Sequence, residues 1–423
     1  MVTWLKNRYA LSILDKIVTI IMGALASIFY VRYLGLEYKG IYSYVNEIAS
    51  IVAIIANLGI YQSYPYFFRK EGHTIYNRYV NFFVLQFLIY AMLTIFLCCL
   101  LKWSGTIILA IIQIPILVFK NQMDNVFLVE RIKAYMLINM INKTALCVFF
   151  ILLWLFVPTS LTTIVLGAIA INSITCIIYL VLSDYNISFD IFRIDIHYLK
   201  SILKFGFFPM LSSLLLTLNY SLDIILLKQI GKAQELSIYS LAAVLINYVW
   251  IIPNAFKEVV ISDIARRDND SVVSFSVKLS NIITMLVFFV FVFVGRTVIV
   301  LFFGQDFSKC YGVTLLLFMG TFSMIFFKMI GPVFVTEGRQ LTYFFILLAS
   351  VASNTIANYL LIPIIGMYGA ALASVISYDL CGILFLIMYC QWKKKKIKSY
   401  IFLSKEDFVY LLNIIKQHIK VKI

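Results

Sequence analysis

The chain has 423 residues, 62% of them hydrophobic and only 13% charged, with a formal net charge of +15. Water-soluble domains carry about a quarter of their residues as charges, so this composition excludes a soluble globular enzyme. The apolar residues fall in runs of about 20 or more, the length that about 30 Å of hydrocarbon demands of a helix. Backbone groups in hydrocarbon must satisfy one another, so such runs are helices. The short alternating segments of a membrane β-barrel are absent. The expectation is an all-α polytopic membrane protein.

Twelve spans are predicted in chain order, near residues 11–33, 41–67, 79–101, 105–129, 134–157, 160–183, 203–228, 236–256, 275–303, 311–335, 341–363 and 367–391. Short connections between them imply antiparallel neighbours. The first span is too long for a signal peptide and has no small-residue cleavage site, so it is expected to stay as a helix. One set of alternate segments carries Lys6, Arg8, Arg69, Lys70, Arg78, Arg131, Lys133, Arg193, Lys200, Arg266, Arg267, Arg339 and Lys393 to Lys396. The opposite loops carry chiefly Arg32, Lys39, Lys102, Lys232 and Lys309. That bias predicts both termini in the cytoplasm. Because the positive charge is scattered over separate loops, it does not point to a nucleic-acid partner.

The seven cysteines (Cys98, Cys99, Cys147, Cys176, Cys310, Cys381 and Cys390) form no CxxC pair and read as small packing residues. With three histidines, His73, His197 and His418, neither a metal centre nor a Ser-His-Asp site is expected.

A longer internal segment, about Asp184 to Ile202, divides the chain into halves of six spans. The halves echo each other. Tyr33-Leu34-Gly35 followed by Gly40-Ile41-Tyr42-Ser43 corresponds to Gln229-Ile230-Gly231 followed by Ser237-Ile238-Tyr239-Ser240. Later, Pro158 before Gly167-Ala168 corresponds to Pro363 before Gly369-Ala370. Two halves in one orientation are a parallel repeat, an arrangement from which alternating-access transporters build a cavity between lobes. The expected domains are residues 1–190, residues 191–395 and a tail, 396–423. In the tail, Phe402, Leu403, Phe408, Leu411, Leu412, Ile415 and Ile419 recur at helical spacing among lysines, which reads as an amphipathic surface helix.

Ionisable residues at membrane depth are costly and mark function by default. The candidates for a substrate pathway are Asp15 and Lys16 in the first span, Arg32 at its far end, and Glu47 in the second. They continue with Lys120 and Asp124 in the fourth, Lys143 in the fifth, Asn219 and Asp223 in the seventh, Lys328 in the tenth, and Asn354 and Asn358 in the eleventh. Lys120 with Asp124, and Asn219 with Asp223, are spaced i,i+4 and share a helix face. Each has a structural reading beside the functional one. Lys120 and Asp124 can neutralise each other, Asp15 and Lys16 can snorkel to the interface, and Asn354 with Asn358 can join helices. Cations such as Lys120, Lys143 and Lys328 in a hydrated cavity suit an anionic, phosphate-bearing passenger.

Several motifs together resemble the polysaccharide flippases of the O-antigen (Wzx) type. They are Leu34-Gly35 with Gly40-Ile41-Tyr42-Ser43, then Asn57-Leu58-Gly59-Ile60 before a basic loop, and Phe205-Gly206-Phe207-Phe208-Pro209 with Asp223 after it. Phe303-Gly304-Gln305-Asp306-Phe307, and Leu361-Ile362-Pro363 with Gly366 and Gly369-Ala370-Ala371-Leu372-Ala373, extend the likeness over the whole chain. The resemblance implies the multidrug/oligosaccharidyl-lipid/polysaccharide exporter superfamily and two six-helix lobes in a V around a central cavity. The implied activity is movement of an undecaprenyl-diphosphate-linked glycan from the cytoplasmic to the outer leaflet of a bacterial inner membrane. It also implies membrane lipids, a polysaccharide polymerase and a chain-length regulator as partners, and no cofactor. The coupling ion, proton, sodium or none, stays open, and so does the multidrug branch of the superfamily. A membrane enzyme is disfavoured because the outer loops are short; a purely structural role leaves the intramembrane charges unexplained.

Overall fold

The computed structural model describes residues 8–100, 105–183, 195–264 and 270–401, and no strand occurs among them. The helices in order are α1 (Arg8–Ala56), α2 (Ile60–Glu71), α3 (Tyr76–Leu100), α4 (Thr106–Glu130), α5 (Ile132–Phe156), α6 (Leu161–Leu182) and α7 (Ile196–Ile230). They continue with α8 (Ala233–Val249), α9 (Ile251–Ile264), α10 (Asp270–Phe303), α11 (Cys310–Thr336), α12 (Gln340–Ile365), α13 (Met367–Lys393) and α14 (Lys398–Ile401). Among the described residues, eleven helical segments are long and apolar enough to cross a membrane. The chain is a multi-pass α-helical membrane protein.

The first of those segments holds two predicted spans. Helix α1 is interrupted at Gly35, whose φ of 58° and ψ of −166° are not helical. In a straight helix Tyr30 and Tyr42 stand about 18 Å apart along the axis. Their ring centroids are 5.5 Å apart, so the chain doubles back at Gly35. A left-handed φ is nearly free for glycine and costs other residues about 1–2 kcal/mol, which explains glycine at this reversal. Counted as a hairpin, α1 supplies two crossings and the twelve predicted spans are all present. The second span ends at Asn57–Gly59, where Leu58 and Gly59 both have positive φ. The predicted eighth span is likewise divided, into α8 and α9, around Trp250.

Two compact units result, one of Met1–Leu241 with Phe302–Asp306, the other of Ala242–Leu301 with Phe307–Ile423. This is a division by packing: α7 packs on α1 and so lies in the first unit. It is distinct from the repeat-based boundary near residue 190.

The first unit has two apolar clusters at different levels. One gathers Tyr64, Tyr79, Phe83, Phe119, Met123, Phe127 and Ile138. The other gathers Tyr33, Leu34, Val45, Ala49, Cys147, Phe150 and Ile164. Along α5, Ile138 belongs to the first and Cys147 to the second, leaving Asn139, Asn142 and Lys143 between them. In the second unit, α13 packs on α11 and α12 through small residues. Ala370, Ala371 and Ala373 are fully buried, and a Cβ on Gly382 would stand 1.9 Å from the Ser323 carbonyl oxygen. Helices in lipid associate by such close approach, since the tails around them are as apolar as their own side chains. The tail beyond residue 401, the segment 184–194 and the arginines 266 and 267 lie outside the described residues.

Candidate functional site

Polar side chains run beside the first apolar cluster on α4 and α6, and between the two clusters on α5. Lys120 and Asp124, one turn apart on α4, form an ion pair with Nζ to Oδ2 at 2.8 Å. The Tyr179 hydroxyl of α6 donates to the other oxygen of Asp124. Lys143 of α5 lies within electrostatic reach of both members of the pair. One turn nearer the start of α5, Asn139 Nδ2 donates to Asp15 Oδ1 at 2.8 Å and approaches Thr19 Oγ1 at 3.1 Å. Asn142 Nδ2 donates to Thr175 Oγ1 on α6 at 2.8 Å. The structure thus brings Asp15, Lys120, Asp124 and Lys143, far apart in sequence, into one belt across α1, α4, α5 and α6. Lys120 and Asp124 are about a fifth to a quarter exposed, so the pair is not sealed in the core. Two cations against one paired and one amide-held carboxylate can hold an anion and release it.

A second polar group lies where the latter arm of α1 meets α7 and α8. Glu47 accepts a hydrogen bond from Ser221. Tyr239 donates to Asp223 Oδ2 at 2.7 Å, and both Asp223 and Asn219 are fully buried. Lys39, with no exposed surface, donates to Ser43 Oγ at 2.6 Å and Ser240 Oγ at 3.0 Å. The Gly40 amide donates to Ser237 Oγ at 2.9 Å. The two echoed motifs of the sequence therefore face each other. Lys39 differs from the expectation: it sits inside a helix and is buried, rather than in an outer loop. Its i,i+4 spacing to Ser43 was the signal available; the partner at 240 was not.

Arg32 donates from Nε to the Phe302 carbonyl at 2.7 Å, and its guanidinium lies 6.0 Å from the Trp154 ring centroid. Lys16 is exposed next to Asp15. In the second unit, Lys328 Nζ donates to Asn254 Oδ1 at 3.2 Å and stands 4.5 Å from the Trp250 ring centroid. An aromatic face stabilises a partly desolvated ammonium by about 1–2 kcal/mol. Asn354 and Asn358 are fully buried: Asn354 Nδ2 reaches Ser377 Oγ on α13 at 3.3 Å, and Asn358 Nδ2 donates to the Asn354 carbonyl on its own helix at 2.9 Å.

Several polar residues had no sequence signal. Gln86 donates to the Ala56 carbonyl at 2.6 Å and accepts from Gln122 Nε2 at 2.6 Å. Tyr90 donates to the same Ala56 carbonyl at 2.7 Å. Buried Glu130 accepts from Tyr64 and pairs with His73 Nδ1 at 2.8 Å. The cysteines are free, with Cys99 exposed and the others buried.

A family model described as polysaccharide biosynthesis protein matches residues 5–261. No curated protein matches the chain. Among solved structures, the lipid II flippase MurJ in an inward closed conformation is similar, with a TM-score of 0.73 at 15% identity, covering 96% of this chain and 93% of that one. An inward-facing multidrug resistance MATE family transporter of the MOP superfamily gives 0.66 at 16% identity, over 90% and 94%. A MOP superfamily transporter from Pyrococcus furiosus gives 0.63 at 14% identity, over 93% and 99%. At such identities the likeness is one of fold.

Proposed function

We propose that this chain, which belongs to the polysaccharide biosynthesis protein family, is a flippase for an undecaprenyl-diphosphate-linked oligosaccharide such as an O-antigen repeat unit. It works by alternating access in a bacterial inner membrane, with both termini cytoplasmic and the six-span halves, 1–190 and 191–395, acting as lobes. The observation that carries this reading is the polar belt of Lys120, Asp124, Lys143 and Asp15 at membrane depth in the first unit. The diphosphate and sugars of such a lipid need a solvating surface through the bilayer, whereas the polyprenyl chain can stay in hydrocarbon. Lys120 and Lys143 supply charge for the diphosphate, and the paired carboxylate keeps that hold reversible. Lys328, against Trp250 and Asn254, offers the second unit's cation and an aromatic surface for sugars. If transport is coupled to an ion, proton or sodium, Asp223 is the carboxylate that would carry it; uncoupled transport stays the alternative. A polymerase and a chain-length regulator are the protein partners this role calls for.

The test is translocation of lipid-linked oligosaccharide in vesicles at matched expression. Lys120→Ala, Lys328→Ala and Asp223→Asn should each lower the initial rate about tenfold or more, a loss of about 1.4 kcal/mol in transition-state stabilisation. An intact protein that moves no glycolipid but extrudes small cationic dyes overturns the reading in favour of a multidrug exporter.

A further inference from the structure

Outside the polar belt, the first unit carries a cavity of about 290 Å³ lined by residues that include Leu58, Phe82, Ile89, Leu199 and Leu203. Its lining is hydrocarbon apart from Gln86 and Tyr90, and those two are turned to the Ala56 carbonyl left unpaired where the second span breaks. The break itself is strained. Leu58 has φ of 54°, in the left-handed region that costs a non-glycine residue about 1–2 kcal/mol, and it is nearly half exposed. Strain kept at an exposed leucine in a cavity wall points to use of that wall.

Two features say what fits there. The first is charge. Leu199 and Leu203 line the cavity from α7, and the next residue after each is an exposed lysine, Lys200 and Lys204. Helix α7 has 35 residues, about 52 Å, far longer than the hydrocarbon, so this end reaches the interface. A leucine stripe beside a lysine stripe at an interface suits an anionic head with its chain in the groove. The second is depth. Gln86 of the cavity bonds Gln122 on α4, and Lys120 and Asp124 stand two residues either side of Gln122, within about 3 Å along the axis. The groove and the cationic belt are level in the membrane.

We infer that this groove between α2, α3 and α7 holds the first isoprene units of the carrier lipid, those next to its diphosphate, as that diphosphate is taken from Lys200 and Lys204 toward the belt. The inference rests on the flippase reading and adds a site for the hydrocarbon part of the cargo. An ordinary phospholipid lacks the second phosphate that two lysines one turn apart can share, so the carrier is the committed occupant. Filling the groove from Leu203 or Ile89 blocks it, and removing the two lysines weakens loading in a salt-dependent way.

The experiment uses the full chain in phosphatidylcholine nanodiscs and a polyprenyl diphosphate with a diazirine in the isoprene units next to the diphosphate. Cross-links should map to residues 58–90 and 196–210. Leu203→Trp and Ile89→Trp should each lower labelling about tenfold with an unchanged melting midpoint. The lysine pair changed to Gln should raise the half-saturating probe concentration about tenfold. Unlabelled undecaprenyl diphosphate should compete, and phosphatidylglycerol at equal concentration should not. Labelling elsewhere, labelling indifferent to both tryptophans, or equal competition by phosphatidylglycerol overturns the groove. Because the probe has no glycan, the two readings separate. Glycolipid transport with label outside the groove overturns the groove alone; label in the groove with no glycolipid transport supports the groove and overturns the flippase.

Discussion

Lys39 shows how a charge survives where water does not reach. Its ammonium spends its hydrogen bonds on Ser43 and Ser240 and faces the Tyr30 ring at 5.7 Å. Cutting it back to alanine leaves those hydroxyls and a void behind, and an unsatisfied buried polar group costs about 1–3 kcal/mol. Methionine refills the void, but it leaves the same two hydroxyls without the ammonium and removes the cation beside Glu47. Lys39→Ala should therefore melt well below the intact protein in detergent micelles and Lys39→Met between the two, since methionine restores the packing alone; equal melting of the alanine variant would sink this account. The same logic applies to Asp124, which has two partners. Tyr179→Phe removes one hydrogen bond to a carboxylate, worth about 1.5–3 kcal/mol, and should lower the melting midpoint in the same assay, as should Lys120→Ala.

Among the helices, glycine divides into two kinds. Gly23 lies inside α1 with nothing within 4 Å of a built Cβ, whereas at Gly382 a Cβ would meet the Ser323 backbone at 1.9 Å. Gly23→Ala should be neutral or stabilising by about 0.5–1 kcal/mol, since alanine restrains the unfolded helix. Gly382→Ala should force α11 and α13 apart, at about 1–3 kcal/mol. Paired denaturation curves check both, and the contrast fails if the two shift alike. The helices themselves were legible in the sequence because hydrocarbon thickness sets a length that apolar runs must meet. Their interruptions were not. The exception is the reversal at Gly35, which falls in the gap between the first two predicted spans; Asn57–Gly59 and Trp250 interrupt apolar runs without a break in hydropathy, and tertiary partners such as Gln86 on the Ala56 carbonyl are what reveal such breaks. The site shows the same limit. An i,i+4 pair such as Lys120 and Asp124 can be read locally, but Tyr179 and Asn139 join it through packing that no spacing encodes.

For the whole molecule, the sidedness inferred from lysine and arginine is open to direct measurement. On a Cys99→Ser background, Lys395→Cys should react with an impermeant maleimide only in inside-out vesicles, and Thr106→Cys only in right-side-out ones. Reversal of that pattern would invert the orientation and with it the direction in which the cargo moves. The packing units carry a consequence for the repeat as well. Helix α7 opens the second half of the chain yet packs in the first unit, by contacts that include a meeting of main chains at Gly59 and Gly206. A Cβ on Gly59 would lie 2.4 Å from the Gly206 carbonyl oxygen, and one on Gly206 would lie 2.0 Å from that of Gly59. Neither codon can drift without the other helix moving, and no change at one can compensate a change at the other, because the obstacle each meets is backbone. In a saturation library under selection for surface glycan, positions 59 and 206 should stay frozen as glycine while Leu58 and Phe205, their neighbours, wander among apolar residues.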